Sequence, residues 1–560
     1  MQPTISLLER AHHYLIGGDY TQAEKIASEY LGTHQNEYAS WYLMGIIQFR
    51  LARYQDAQAT LSRAIQLEPK HAELHNCLAA TFAALNNFPN AETHYRAALQ
   101  LMPNHAPYMQ NYARLLCDHG HTQNAQRLLD YLLHNLDPNP DTLTLAAEIA
   151  LREGRLEAAQ DLIQHALALA PELLPTLLMA GTIAYNLYNW EAAVEYFTRA
   201  HAFHPSDITA TTNLAFAENA RGQNPIAQAI LSHAITDSKP DSPTLVHALA
   251  LLELSAGDFT TGWRHFLARP SRSNIQYGEP NILPKTLTDK KILVIGDEGL
   301  GDEIFFLRYA RELLSRGATV DYKTNPKLAP IITHAHIFRN TLVTATADDY
   351  DYTLASGDLP YLVGDATLLP RPSPPFIPCD PNAKQNAQAA LARCGPPPYI
   401  GVTWNAGPYL PNTPEAHTAL YKKNCPIDLL GQALGGINAT FIVLQRHSQS
   451  AELKILHHST QRDIGDFSAW CDDLNQLYGL LACLDNYVGV SNTNMHLRAS
   501  LRLPAYVLLN HPAEWRWDMG ATSAWFPTFT LLRQQPDGDW HAPLSRLTQQ
   551  LDIHYGSERA

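Results

Sequence analysis

The chain has 560 residues, too many for one hydrophobic core and enough for a repeat array with one or two further lobes. Forty basic residues stand against 54 acidic ones, a net charge of −14 without long like-charge blocks. That balance argues against nucleic acid as the main partner, because a phosphate-tracking surface is basic. Met1 to Tyr20 lacks a charged start followed by an apolar run, so no signal peptide is expected. No apolar stretch reaches about 20 residues, so no membrane span is expected either. Seven scattered cysteines without Cys-x-x-Cys read as reduced thiols of a cytoplasmic protein. The 26 histidines include no His-Glu-x-x-His, and His457-His458 has no partners at ligand spacing, so no metal is expected.

The first half keeps a period of 34 residues. Pro69, Pro103, Pro171 and Pro205 mark the beat, and Asp137-Pro138 fills the missing one a residue late. Twelve residues before each beat stands Ala57, Ala91, Ala125, Ala159 or Ala193. Five before it stand Ala64, Ala98, Ala166 and Ala200, with Leu132 the exception. A small residue, Gly45, Ala79, Ala113, Ala147 or Gly181, lies 24 before. Ala11 and Ala23 carry the register backwards; Ala215, Ala227 and Ala234 carry it forwards. This is the tetratricopeptide pattern: paired antiparallel helices, small residues where they cross, and proline after the second helix. Stacked units predict a right-handed superhelix with a concave face. A last hairpin, Pro243 to Arg269, carries Gly257-Asp-Phe-Thr-Thr-Gly-Trp263-Arg-His-Phe266 and closes the array. Asn76, Asn111 and Asn213, on first helices of their units, are candidates to hydrogen-bond an extended peptide, since asparagine offers a donor and an acceptor together. Helix packing or solvation accounts for Tyr42, His75, Tyr108, Asn111 and Asn213 equally well.

Residues 270–290, with prolines at 270, 280 and 284, connect to a different grammar. Ile292–Ile295 reads as a buried parallel strand, Gly296, Gly299 and Gly301 as a tight turn, Ile304–Leu314 as a helix that Gly317 ends, and Ala318–Tyr322 as the next strand. This βαβ unit puts a glycine-bearing loop at the carboxyl edge of its sheet, where such folds bind ligands. The spacing is neither a dinucleotide fingerprint nor a Walker loop. A second series follows the proline-studded stretch from Pro370 to Pro398. Tyr399–Trp404, Ala439–Leu444, Tyr487–Val490 and Tyr506–Leu509 read as strands, and Leu474–Leu484 as a helix. Asn405-Ala-Gly-Pro408 and Gln445-Arg446 follow two of these strands, and Ser491-Asn-Thr-Asn494 opens a helix carrying His496. Two series joined by a linker imply two lobes with a cleft between them. The expected divisions are 1–269 for the array, 270–290 for the linker, 291–378 for the first lobe and 396–550 for the second.

Leu300-Gly-Asp302, Tyr399-Ile-Gly-Val-Thr-Trp404, Lys423-Asn-Cys-Pro426, Leu444-Gln-Arg446, Asp463-Ile-Gly-Asp-Phe467 and Ser491-Asn-Thr-Asn-Met-His496 occur in this order. As an ordered set they resemble the heptosyltransferase-related glycosyltransferases of the GT-B fold. With the repeats, the Gly257–Phe266 hairpin and Glu514-Trp-Arg-Trp517, the chain is similar to bacterial tetratricopeptide proteins that end in such a domain. Flagellin glycosyltransferases share that layout and, more distantly, so does O-GlcNAc transferase. The resemblance implies an α-solenoid followed by a two-lobed α/β GT-B glycosyltransferase domain, metal-independent, with a nucleotide sugar as co-substrate and no other cofactor.

Residue by residue, the resemblance makes Asp302 the general base, with Asp297 and Glu298 as alternatives on the same loop. It gives Lys423 to the donor phosphate. Arg446 is a second cation or a nucleotide contact, and Gly299 and Gly301 let backbone N–H groups approach substrate. Asn492 and Thr493 open a helix aimed at phosphate or sugar oxygens. His496 either packs or caps that helix or contacts the donor, and Trp515, Trp517 and Trp525 either stack on substrate or pack. Related enzymes carry aspartate where Asn492 stands, a loss of charge that suits an acidic donor such as a CMP-nonulosonic acid, or else marks a weakened enzyme. The leading function is protein O-glycosylation in the cytoplasm, with the repeats holding an acceptor protein such as flagellin. The alternative is an interaction scaffold with an inactive transferase fold. A lipopolysaccharide-modifying enzyme would leave the long array unexplained.

Overall fold

The computed structural model describes residues 6–136, 139–237, 242–274, 282–346, 349–364, 373–406, 423–517, 520 and 522–556. Asp137-Pro138, Pro280, Pro370 and Gly407-Pro408, singled out in the sequence, lie outside the described residues. Eight helix pairs come first: α1 (Leu7–Ile16) and α2 (Tyr20–Thr33), α3 (Tyr38–Arg50) and α4 (Tyr54–Leu67), α5 (Ala72–Ala84) and α6 (Phe88–Leu101), α7 (Ala106–Asp118) and α8 (Thr122–Asn135). They continue as α9 (Pro140–Arg152) and α10 (Leu156–Leu169), α11 (Leu174–Asn186) and α12 (Trp190–Phe203), α13 (Ile208–Ala220) and α14 (Asn224–Asp237), α15 (Pro243–Ser255) and α16 (Phe259–Phe266).

The periodic alanines explain why the pairs form. Ala57, Ala91, Ala125, Ala159 and Ala193 are all 0% exposed. At Gly45 a Cβ would stand 2.6 Å from Leu61, so a side chain there would force Leu61 or the α3–α4 pair to shift. Each beat proline comes two residues after the last helical residue, as Pro69 follows Leu67 and Pro103 follows Leu101, where it can no longer break a helical hydrogen bond. Asp19, Asn87, Asn139, Asn189, Asp207 and Asp258 cap second or first helices by accepting an N–H three residues on.

Two parallel sheets follow. The first contains β1 (Lys291–Ile295), β2 (Thr319–Lys323), β3 (Thr341–Leu342) and β4 (Tyr352–Ala355), in the order β3-β2-β1-β4. The second contains β5 (Tyr399–Thr403), β6 (Thr440–Val443), β7 (Ile464–Asp466), β8 (Asn486–Val490), β9 (Ala505–Leu509) and β10 (Phe529–Arg533), in the order β10-β9-β8-β5-β6-β7. Helix α17 (Leu300–Ser315) links β1 to β2, and the short α18 (Ala329–Thr333) and α19 (Leu359–Val363) complete that lobe. Around the second sheet lie α20 (Pro381–Leu391), α21 (Ile427–Leu434), α22 (Ser450–Thr460), α23 (Leu474–Cys483), α24 (Thr493–Ser500) and α25 (His541–Tyr555). The architecture is thus a helical solenoid followed by two α/β lobes. Of the strands, β3, β4, β7 and β10 were not read from sequence; β3 and β7 are only two and three residues long, too short to show a pattern.

Two compact units divide the described residues, one ending at Ile183 and one starting at Ala184, so the break falls inside α11. Within the second unit the last helix pairs are joined to the α/β lobes by specific bonds. The indole of Trp190 donates to the carbonyl of Pro536 at 2.8 Å, Gln534 donates to the Tyr188 hydroxyl at 2.9 Å, and His511 Nε2 donates to the carbonyl of Ala220 at 2.8 Å. Gly538, at φ +89°, lies under the Tyr188 ring, where a Cβ would stand 2.5 Å away.

Candidate functional site

In an open parallel sheet the crevice forms where strand order reverses, at the carboxyl ends of the strands. In the six-stranded sheet the reversal is between β8 and β5. A cavity of about 440 Å³ opens there, lined by Thr403, Asn405 and Ala406 after β5, by Gln445, Arg446 and His447 after β6, and by Asn492, Thr493 and Asn494 after β8. Leu300, the first residue of α17, lines it from the other lobe. The end of β5 is fixed by the Gln445 side chain, whose oxygen accepts the N–H groups of Trp404 and Asn405 at 3.2 and 2.9 Å.

Helix α24 points its N-terminus at this cavity. The Asn492 side-chain oxygen caps it by accepting the Met495 N–H at 3.2 Å, and its amide donates to the Tyr487 hydroxyl at 3.4 Å. Asn494 donates to the same hydroxyl at 3.2 Å, which donates on to Thr403 at 2.8 Å. An aspartate at 492 would supply the cap but not the donor to Tyr487. Arg446 stands exposed at the rim, 3.2 Å from Asp472. The lining carboxylate Glu452 accepts from the Trp404 indole at 2.9 Å and from the Gln449 N–H at 2.8 Å.

The loop from Gly296 to Gly299 leads from β1 into α17, with Gly299 exposed as the N-cap and Asp302 in the first turn. Asp302 Oδ1 receives Arg516 Nη2 at 2.5 Å. Arg516 Nη1 stands 3.6 Å from Glu514 Oε2, and Glu514 Oε1 lies 2.6 Å from Lys423 Nζ. The Ser491 hydroxyl donates to Glu514 at 2.9 Å. The structure therefore brings Asp302 and Lys423 together through two residues the sequence reading left without a role. Burial alone would raise the Glu514 carboxyl, but Lys423 and Arg516 outweigh it and hold it down at about 2. For Arg516, burial opposes the charge, and Asp302 with Glu514 more than restores it, raising its pKa.

Several candidates have other duties. Gly301 is buried against His496, where a Cβ would come within 2.9 Å of Cδ2, so glycine is needed there for α17 to approach α24. Glycine at 301 thus has a packing role beside the expected approach of its backbone N–H to substrate. His496 is 3% exposed and packs edge-on to Phe305 and Phe526. Burial, aided by Arg516 and Arg308, pushes its pKa well below the usual range, so it is a neutral packing residue rather than a donor contact. Asp297, an alternative base, is locked away: Arg269 reaches it with Nε and Nη2 at 2.8 and 2.5 Å, and Ser356 and Gly357 donate at 2.7 and 2.8 Å. Glu298, the other alternative, accepts from Ser271. Trp515, Trp517 and Trp525 are core, not stacking platforms: they are 6%, 0% and 0% exposed, and Trp515 meets Trp263 at 5.1 Å.

In the first unit, Asn111 donates to Asn76 at 3.0 Å, so the two amides partly satisfy each other. In the second, Asn213 is 4% exposed and its Oδ1 has no hydrogen-bond partner among the described residues. Among the described residues no group of three or more His, Cys, Asp or Glu could hold a metal, and no helix is long and apolar enough to cross a membrane.

The tetratricopeptide-repeat family model matches residues 42–106. The chain is a tetratricopeptide-repeat protein with an α/β region after the repeats. Repeats of this kind offer extended surfaces for binding other proteins. Protein FlbA of Caulobacter vibrioides is 23% identical over a 393-residue alignment that covers 64% of this chain and 64% of that protein. The chain thus spans just under two thirds of the length of this curated relative. Among solved structures, the APC/C hetero-tetramer Cut9–Hcn1 superposes with a TM-score of 0.37 at 16% identity, over 44% of this chain and 48% of that one. A thermophilic TPR protein of Thermus thermophilus gives 0.28 at 20% identity, over 30% and 93%.

Proposed function

We propose that this protein is a cytoplasmic protein O-glycosyltransferase of GT-B type. The observation that carries the reading is the cavity at the strand-order reversal, lined by both lobes; Asp302 stands two residues beyond its lining residue Leu300, and three ion-pair contacts link Asp302 to Lys423, which lies outside the lining. A nucleotide sugar fits the cavity with its phosphate toward the N-terminus of α24 at Asn492 and Thr493, where backbone N–H groups favour an anion. Gly299, Lys423 and Arg446 serve the donor from the rim. Asp302 takes the proton of a serine or threonine hydroxyl as its oxygen bonds to the anomeric carbon. The bond from that carbon to the phosphate oxygen breaks, and its electron pair leaves with the nucleotide, stabilised by Lys423. Asn76, Asn111 and Asn213 bind the backbone of the acceptor protein, flagellin being the expected case.

An acidic donor, such as a CMP-nonulosonic acid, is favoured because the sugar would meet a neutral Asn492 rather than a carboxylate at the N-terminus of α24. The second reading, a scaffold with an inactive transferase fold, draws support from one fact: Asp302 and Lys423 both have partners within the chain. Two measurements decide. Purified protein is incubated with a panel of nucleotide sugars and cell extract, and released nucleotide is followed. In parallel, intact masses of surface and flagellar proteins are compared with and without the gene. Transfer of one sugar mass to one protein is expected. No donor consumption and no mass change on any protein would overturn the enzyme in favour of the scaffold.

A further inference from the structure

We infer that the turn at Glu514-Trp515-Arg516 is the positioning element of the site: Arg516 aims Asp302 at the acceptor hydroxyl, and Glu514 aims Lys423 at the leaving phosphate. The inference rests on the glycosyltransferase reading and gives two further residues roles in it.

The turn sorts its side chains by kind. Trp515 and Trp517 go into the core, Trp515 meeting Trp263 at 5.1 Å and Phe305 at 5.3 Å, Trp517 stacking on Phe526 at 4.8 Å and donating to Ser491 at 3.1 Å. Indoles buried this deeply fix the backbone between them. The alternate residues, Glu514 and Arg516, carry the charges. Each meets a group with a proposed role, and each occupies only part of it. Arg516 holds Asp302 by Oδ1, and Oδ2 makes no hydrogen bond among the described residues. Glu514 holds Lys423 by one contact, and the ammonium has no second partner among the described residues. A base needs one carboxylate oxygen open to its substrate and the other fixed; a phosphate-binding ammonium needs spare N–H groups on a nitrogen that does not wander.

Stability alone is a poor reason for such a chain. Two cations and two carboxylates taken mostly out of water contribute little net free energy compared with apolar residues of the same shape. What the chain does supply is fixed orientation, with charges that cancel in pairs. A purely structural network and a positioning network therefore predict different kinetics.

The test uses the full chain, the donor that the wild type consumes and its acceptor, comparing wild type with Arg516→Lys and Glu514→Gln. Initial rates give kcat and KM for the donor, calorimetric titration gives the donor Kd, and thermal melts check folding. Arg516→Lys should lower kcat on the order of 100-fold, the loss that a base displaced by about 1 Å produces, with donor Kd unchanged. Glu514→Gln should weaken donor binding about tenfold, the worth of one charged hydrogen bond, with a smaller effect on kcat. Equal losses in both parameters for both variants, or lower melting temperatures with unchanged kinetics, would overturn the inference. Should Arg516→Lys fail to fold, the isosteric Glu514→Gln decides alone, and an unchanged donor Kd overturns it. If wild-type protein consumes no donor, the enzyme reading fails and this inference with it; if wild type is active and the split is absent, only this inference fails.

Discussion

Replacing Glu303 by Gln should stabilise the second compact unit at pH 8 and leave it unchanged near pH 4.5. Glu303 follows Asp302 in α17 and is 4% exposed. Its carboxyl lies so close to Gly296 that a Cβ there would stand 2.4 Å from Cδ. Burial, with Asp297 adding to it, pushes its pKa up from 4.5 to about 7, against the opposing hydrogen bonds of Thr324 and the Asn325 backbone. A rise of that size means that the folded state carries roughly 3 kcal/mol against the ionised form. The folded chain holds this proton more tightly than the unfolded one. Stability therefore falls as pH climbs from about 4.5 to about 7, and the whole penalty is present above that. Glutamine keeps an oxygen for Thr324 and never ionises. Calorimetric melts of wild type and Glu303→Gln at both pH values should show a gain of about 2–3 kcal/mol at pH 8, several degrees for a unit of this size, and none at pH 4.5. The same shift at both pH values, or a loss at pH 8, would refute the assignment of that penalty to Glu303.

Asp302→Asn should cut kcat by about 10²–10⁴-fold while melting normally, and full turnover would remove Asp302 as the base. Asn492→Asp should destabilise by no more than about 1 kcal/mol, since aspartate keeps the α24 cap and loses only the long bond to Tyr487; for an acidic donor its KM should rise, and a lower KM would point to a neutral sugar. Gly301→Ala should destabilise by about 1–3 kcal/mol as the methyl meets His496, read as a lower melting temperature, and an unchanged melt would show that α17 can shift without loss. Glu514, held down at about 2, should contribute stability that is complete above pH 4.5 and lost as pH falls toward 2, so acid unfolding of Glu514→Gln should be less steep than that of wild type.

The repeats were legible because their physics is local: an alanine at each close crossing and a proline after each second helix recur whatever lies elsewhere in the chain. The strands of continuous apolar residues, such as Ile292–Ile295 and Tyr506–Leu509, were equally plain, and the glycine loop with Asp302 could be set at a sheet edge from spacing alone. What stayed hidden depends on distant partners. Arg516 lies 214 residues from Asp302, and Arg269 lies 28 from Asp297; nothing near either arginine announces its partner. The tryptophans stayed undecided between stacking and packing for the same reason, since an indole in a sequence looks alike whether it faces a cavity or Phe305. His496 carried the motif's position but not its chemistry, because burial can be seen only once α17 lies on α24.

The bonds from Trp190, Tyr188 and Ala220 to the loops after β9 and β10 bear on how this protein can be cut and how it can evolve. A fragment begun at the apparent linker, near residue 270, would uncover the faces that Trp263 and Phe266 fill and leave Pro536 and His511 without their bonds. Expressed alone, it should be sticky and poorly soluble. A fragment that keeps the later helix pairs would retain every one of those contacts. The same contacts constrain evolution: the final pairs cannot be lost without exposing the parts of the α/β lobes that they cover.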